Sequence, residues 1–258
     1  MRDLEALERP LHARRGVLGW LAAGAALAGV ASRPMAAAGA LCTAAPAETN
    51  GPFPADGSPA AFGRTLNVLN QSGIVRRDIT RSFGSSTTLA TGVPVRLTIT
   101  LESAHRGCAP LAGHPVYVWH CDRNGDYSMY AERLAGENYL RGVQLSDASG
   151  RVSFETIFPA CYSGRYPHIH LEVYAAAALA AGATRPVLTS QLALPREVCA
   201  RVYVSGSGYH GSLANLAELQ AADDMVFAHS TPGQLAAQTM VMQGSVAAGF
   251  TAAAVVAL

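Results

Sequence analysis

The chain has 258 residues, half of them apolar and only 14% charged, with a formal charge of +1. Such a composition excludes a disordered chain and a protein that wraps a nucleic acid, since it offers neither high net charge nor a basic patch for a polyanion. The length suits one large β domain or two small domains, and all 19 basic residues are arginine.

Residues 1–40 read as a leader outside the fold. Arg14 and Arg15 precede an uncharged apolar run from Gly16 to Val30, which has the length of a signal-peptide core and is short for a membrane span. Ala38-Gly39-Ala40 fits a small-x-small cleavage site, so the mature chain is expected to begin near Leu41 and to be exported, periplasmic or secreted. The paired arginines favour the twin-arginine route over the general one. Cys42 is not expected to carry a lipid, because Leu41 is a poor neighbour for such a site. Without the leader the chain holds 14 arginines against 15 acidic residues. In an oxidising compartment Cys42, Cys108, Cys121, Cys161 and Cys199 can form at most two bridges. Cys108 with Cys199 is the expected pair, and Cys121 a buried free thiol.

Along the mature chain, period-two alternation marks successive half-buried strands. Val95, Leu97, Ile99 and Leu101 alternate with Arg96, Thr98 and Thr100; Val116, Val118 and His120 with Tyr117 and Trp119. After the turn Asp122–Asp126, the pattern returns at Val152, Phe154 and Thr156, preceded by the turn Asp147–Gly150. Ile169, Leu171 and Val173 alternate with His168, His170 and Glu172. Further strands are expected near Leu188–Leu194 and Thr251–Leu258, and a short helix at Ala214–Ala222; Ala175–Ala183 fits a helix or a loop. The fold class is all-β, most simply a sandwich of two antiparallel sheets in one domain over residues 41–258.

The segment Tyr162-Ser163-Gly164-Arg165-Tyr166-Pro167-His168-Ile169-His170 carries the chemistry. On a strand, residues two apart share a face, so His168 and His170 project together about 7 Å apart at their Cα atoms. Two imidazoles converging on one point are half of a metal site. No carboxylate stands where a cupin, a zinc protease or a calcium loop needs one, and there is no Gly-x-Ser-x-Gly elbow. The remaining donors are tyrosines: Tyr162 just before the histidine strand, and Tyr127 after the turn that follows Val116–Cys121. A phenolate suits ferric iron more than zinc. Each tyrosine taken singly also fits a half-buried core residue with its hydroxyl at the surface.

Taken together, "VYVWHCDRNGDYSMY", "LRGVQLSDASGRVSFETIFPACY" and "GRYPHIHLEVY" resemble the intradiol ring-cleavage dioxygenase family, in order from about Asn50 to Leu194. The resemblance implies Fe(3+) held by Tyr127, Tyr162, His168 and His170, with Arg165 as the active-site arginine. It implies a substrate pocket lined by Gly51, Pro52 and Phe53, on an N-terminal arm laid across the core, and by Gln191. The implied reaction is cleavage of a catechol-type ring between its hydroxyl-bearing carbons by O2. Tyr162 would leave the metal and take up a substrate proton, and Arg165 would stabilise negative charge developing on the ring. The partners are then a small aromatic diol and O2, with no nucleic acid, no membrane span in the mature chain, and self-association left open. The competing readings are an exported, non-catalytic β-sandwich binding module and a zinc hydrolase built on the histidine pair.

Overall fold

The computed structural model describes residues 42–59, 63–176, 185–205 and 208–258. The leader, the expected start at Leu41 and most of Ala175–Ala183 lie outside these residues. Nine strands occur among them: β1 (Pro94–Ser103), β2 (Ala109–Pro110), β3 (Pro115–Trp119), β4 (Arg141–Leu145), β5 (Arg151–Ile157), β6 (His168–Val173), β7 (Leu188–Ala193), β8 (Val241–Ser245) and β9 (Gly249–Ala257). Three α-helices, α1 (Arg196–Ser205), α2 (Ser212–Glu218) and α3 (Pro232–Gln238), fall between β7 and β8. None of the described helices is long and apolar enough to cross a membrane.

The strands form two sheets, one ordered β2-β1-β9-β8 with β5 also paired to β1, the other β4-β3-β6-β7. Every strand read from alternation is present. In β1, Val95, Leu97, Ile99 and Leu101 are buried, while Pro94 and Arg96 are exposed. β9 alternates likewise, burying Phe250, Ala252, Ala254 and Val256. The second sheet is antiparallel throughout, but β9 runs parallel to β1, with Val95 opposite Phe250 and Leu101 opposite Val256. The first sheet is therefore mixed rather than purely antiparallel. The helical connection after β7 brings the chain back as the edge strand β8, and the β8–β9 hairpin turns it to run beside β1 in the same direction.

β3 and β6 correct the half-buried expectation, since every residue in both is buried. They are the two central strands of their sheet, and both faces are covered. Val116, Val118, Ile169, Leu171 and Val173 join the residues of the first sheet in one continuous apolar core. The other face is roofed by the N-terminal arm. The Tyr117 hydroxyl donates to the Pro54 carbonyl at 2.8 Å, and Gln191 Nε2 donates to the Thr49 carbonyl at 3.0 Å.

The disulfide also departs from expectation. Cys42 is bonded to Cys108, with Cα atoms 5.7 Å apart, whereas Cys199, in α1, is a buried free thiol; Cys121 and Cys161, outside that helix, are buried free thiols too. Cys108 sits in the turn after β1, where the arm passes: Ala44 bridges Ala257, and the Ala45 amide donates to the Ala257 carbonyl. Cys199 instead faces the core. The expected helix near Ala214–Ala222 forms earlier, at Ser212–Glu218, and is followed by extended backbone at Leu219.

Candidate metal centre

Three segments bring their donors to one place. His168 and His170 share the arm-covered face of β6, opposite Ala193 and Gln191 of β7, with Trp119 of β3 opposite His170 on the other side. Trp119 stacks on the His170 ring at 4.8 Å and 6°. Tyr127 is delivered by the turn after β3. There Asp122 Oδ1 accepts from the Asn124 and Asp126 amides, and Arg133 pairs with both Asp122 and Asp126. Tyr162 lies on the turn before β6, which α2 holds: Ser212 Oγ accepts from the Cys161 amide and Asn215 Nδ2 donates to the Cys161 carbonyl. The two turns touch at Gly125, whose φ is +90° and where a Cβ would come within 3.0 Å of Tyr162 Cβ.

The four donor atoms form a tight cluster. Tyr127 Oη lies 3.3 Å from Tyr162 Oη, 3.4 Å from His168 Nε2 and 3.2 Å from His170 Nε2. Tyr162 Oη lies 3.3 Å from His168 Nε2, and the two Nε2 atoms are 3.0 Å apart. Donors about 2 Å from one central ion stand about 3.3 Å apart in a tetrahedral arrangement, so the spacing fits a metal. His168 Nδ1 donates to the Tyr166 carbonyl at 2.6 Å. Its Nε2 therefore carries a bare lone pair aimed at the cluster.

Burial dominates the electrostatics of all four groups. It pushes the Tyr127 phenol well above its ordinary range and the Tyr162 phenol up to about 12. It pushes His168 down to about 3 and His170 well below the usual histidine range. The protein by itself thus keeps two phenols and two imidazoles neutral. A multivalent cation reverses that balance for the phenols, because it stabilises phenolate where water cannot. Among the described residues a second cluster, Cys42, Glu102 and Cys108, has metal-type atoms within reach of one another, but the disulfide occupies both its sulfurs.

Arg165 stands at the edge of the cluster, only 8% exposed. Its Nη1 is 3.5 Å from His168 Nε2, while Nε and Nη2 donate to Asp224 at 2.9 and 3.3 Å and Nη2 donates to Gln191 Oε1 at 2.6 Å. Gln191 is fully buried and ties Arg165 to the arm rather than lining an open pocket. Gly51 of the arm lies on the His170 ring, Pro52 is exposed, and Phe53 lines a cavity of about 350 Å³ with Arg64, Tyr127 and Tyr130. His120 is a satisfied core histidine, bonded to the Cys121 carbonyl and to Thr156 Oγ1.

Two functional neighbours escape sequence reasoning. Asp224 follows the exposed Asp223, and a pair of acids reads as solvated surface. Arg141 is fully buried and donates to the carbonyls of Phe53, Pro54 and Ser128, to Ser128 Oγ and to the Tyr117 hydroxyl. It fastens the arm to the Tyr127 turn, yet in the sequence it stands as one arginine at the start of a strand.

Residues 85–188 match the dioxygenase family model, a span that holds Tyr127, Tyr162, Arg165, His168 and His170. The structure superposes on an intradiol ring-cleavage dioxygenase from Tetranychus urticae with a TM-score of 0.61 and 21% identity, covering 84% of this chain and 94% of that one. The fold is that of the intradiol ring-cleavage dioxygenases, and residues 85–188 are dioxygenase-family sequence. The intradiol fold is shared with the dioxygenase domain of a dioxygenase carbohydrate-binding protein fusion from Streptomyces sp. SirexAA-E, at a TM-score of 0.50 and 24% identity over 84% of this chain and 98% of that one. In sequence, 53 residues are 40% identical to catechol 1,2-dioxygenase of Candida albicans, a stretch that is 20% of this chain and 18% of that protein.

Proposed function

We propose that the chain is an exported, ferric-iron-dependent intradiol dioxygenase that cleaves a catechol-type ring between its two hydroxyl-bearing carbons. The observation that carries this reading is the convergence of Tyr127, Tyr162, His168 and His170 on one point, with five of the six donor-atom pairs 3.0–3.4 Å apart. The donor set holds no carboxylate, and paired phenolates favour the ferric state. Ferric iron bound there would act as a Lewis acid that makes a catechol reactive toward O2.

The protein's own groups do the rest. Tyr162 is the less enclosed of the two phenols, which suits it to give way to substrate and hold its proton on Oη. Tyr127 is 3% exposed and stays in place. Arg165 offers Nη1 beside His168, where a fixed cation stabilises negative charge developing on the ring. The arm roofs the site and limits water, and the cavity beside Tyr127 offers the aromatic walls of Phe53 and Tyr130 to a ring. The Cys42–Cys108 disulfide supports export, because such bonds persist in oxidising compartments.

The test is metal analysis and the visible spectrum of the purified protein. Iron and a visible tyrosinate-to-iron band are expected in the native protein, and both are expected to vanish in the His168→Ala/His170→Ala variant. Unchanged iron in that variant would overturn the ligand assignment.

A further inference from the structure

We infer that Asp224 is a positioning residue for Arg165, fixing the guanidinium so that its Nη1 edge alone faces the metal centre. The inference rests on the reading of Arg165 as the group that acts on the ring. Asp224 lies outside the segment that matches the dioxygenase family, in the connection between α2 and α3.

The geometry leaves the arginine little freedom. A guanidinium is a rigid plane with five donors, so fixing two of its nitrogens fixes the third. Nε and Nη2 are held by the two oxygens of Asp224, and Nη2 also by Gln191 Oε1. Only Nη1 is left to point inward, toward His168 Nε2. The carboxylate is itself held from several sides. Oδ2 accepts from the Tyr166 amide at 2.8 Å, and Oδ1 from the amides of Val226 and Phe227 at 2.9 and 3.2 Å. Asp224 is fully buried, so water does not compete for these bonds. One carboxylate therefore holds both the Arg165 side chain and the backbone N–H of Tyr166, the residue whose carbonyl accepts from His168 Nδ1.

A purely structural ion pair would have the same burial and distances, so the test must separate the two roles. A double-mutant cycle does so. Asp224→Asn is expected to lower kcat about tenfold or more, leaving KM, iron content and colour close to native. In an Arg165→Ala background the same substitution is expected to change kcat less than about twofold, because there is no guanidinium left to aim. Equal losses in both backgrounds, or a native kcat in Asp224→Asn, would overturn the inference. If Asp224→Asn does not fold, Asp224→Glu keeps the charge, displaces it by one methylene, and carries the same expectation for kcat. The crystal structure of the folded variant decides the placement independently of turnover. Arg165 swung away from Gln191 and His168 supports the inference, and an unmoved guanidinium refutes it. If the native protein takes up no oxygen with any catechol, the proposed function fails alone and the crystallographic arm still decides the role of Asp224.

Discussion

The backbone of Gly51 lies directly against the imidazole of His170: a Cβ at Gly51 would stand 3.2 Å from His170 Cε1. With Trp119 stacked on the same ring, the arm and the sheet hold one metal-type histidine between them. Gly51 also has a φ of +71°, where side chains are strained. Gly51→Ala is expected to cost about 1–2 kcal/mol of stability and to weaken metal retention by tilting His170. Thermal unfolding and metal content of the purified variant check both effects.

The Cys42–Cys108 bridge ties the arm to the turn after β1 across 66 residues of sequence. In the chain-entropy account a loop of that size contributes about 4 kcal/mol. Cys42→Ser/Cys108→Ser is expected to lower the unfolding temperature, and non-reducing peptide mapping should find these two cysteines paired. A peptide linking Cys108 to Cys199 would contradict the structure.

How much of this was legible in the sequence depends on the range of the interactions. The strand alternations and the His-x-His pair are local, and β1, β5, β6, β7 and β9 lie where the alternation placed them. The motif residues Tyr127, Tyr162, His168 and His170, distant in the chain, do meet at one point. Local patterns cannot report what covers a face. β3 and β6 have half-buried alternation but are covered twice, because an arm from much earlier in the chain bonds to Tyr117 and lies against His170. α1 is ambiguous in the sequence because the stretch Val198–Val204 suits a strand as well as a helix. The α3 capping box at Thr231 and Gln234 was a readable start signal. Asp224 and Arg141 gave no signal, since what each does depends on partners from other segments.

Arg141 is the strut beneath the arm. Arg141→Met removes donors from the buried carbonyls of Pro54 and Ser128 and from that of Phe53, and is expected to destabilise the fold by about 3 kcal/mol or more. Chemical denaturation measures the loss. Limited proteolysis should also show faster cutting at the arm near Phe53 and Pro54, whose carbonyls Arg141 holds.

Arg64 is exposed at the rim of the cavity beside Tyr127. Among the described residues its contacts are the Tyr130 carbonyl at 3.4 Å and the Tyr130 ring at 5.8 Å, whereas Asp126 of the same cavity is paired to Arg133. A cation with no acidic partner among the described residues favours rings with an acidic substituent. Arg64→Ala is expected to raise KM for protocatechuate several-fold, on the order of 1 kcal/mol, while leaving KM for catechol little changed. Oxygen-uptake kinetics with the two substrates measure the difference.

His120 links stability to pH. Burial pushes it down to about 4, and its ring is bonded to the Cys121 carbonyl and to Thr156. Its unfolded value is about 6.5. Above that value both states are neutral and the residue adds no pH dependence. Between the unfolded and folded values only the unfolded state is charged, so stability falls as pH drops. The loss approaches about 3 kcal/mol near pH 4. Denaturation curves from pH 7 to pH 4 should show this slope, and His120→Gln should make it shallower, the remainder coming from the buried His168 and His170.

The central claim is cleavage between the two hydroxyl-bearing carbons, and isotope-labelled product analysis tests it most directly. The purified protein, loaded with iron, is given catechol, protocatechuate and hydroxyquinol under oxygen-18 gas, and the products are identified by mass and ultraviolet spectrum. A cis,cis-muconate-type diacid carrying both labelled oxygen atoms is the predicted result. A ring-opened semialdehyde, or no product from any of the three rings, would contradict it.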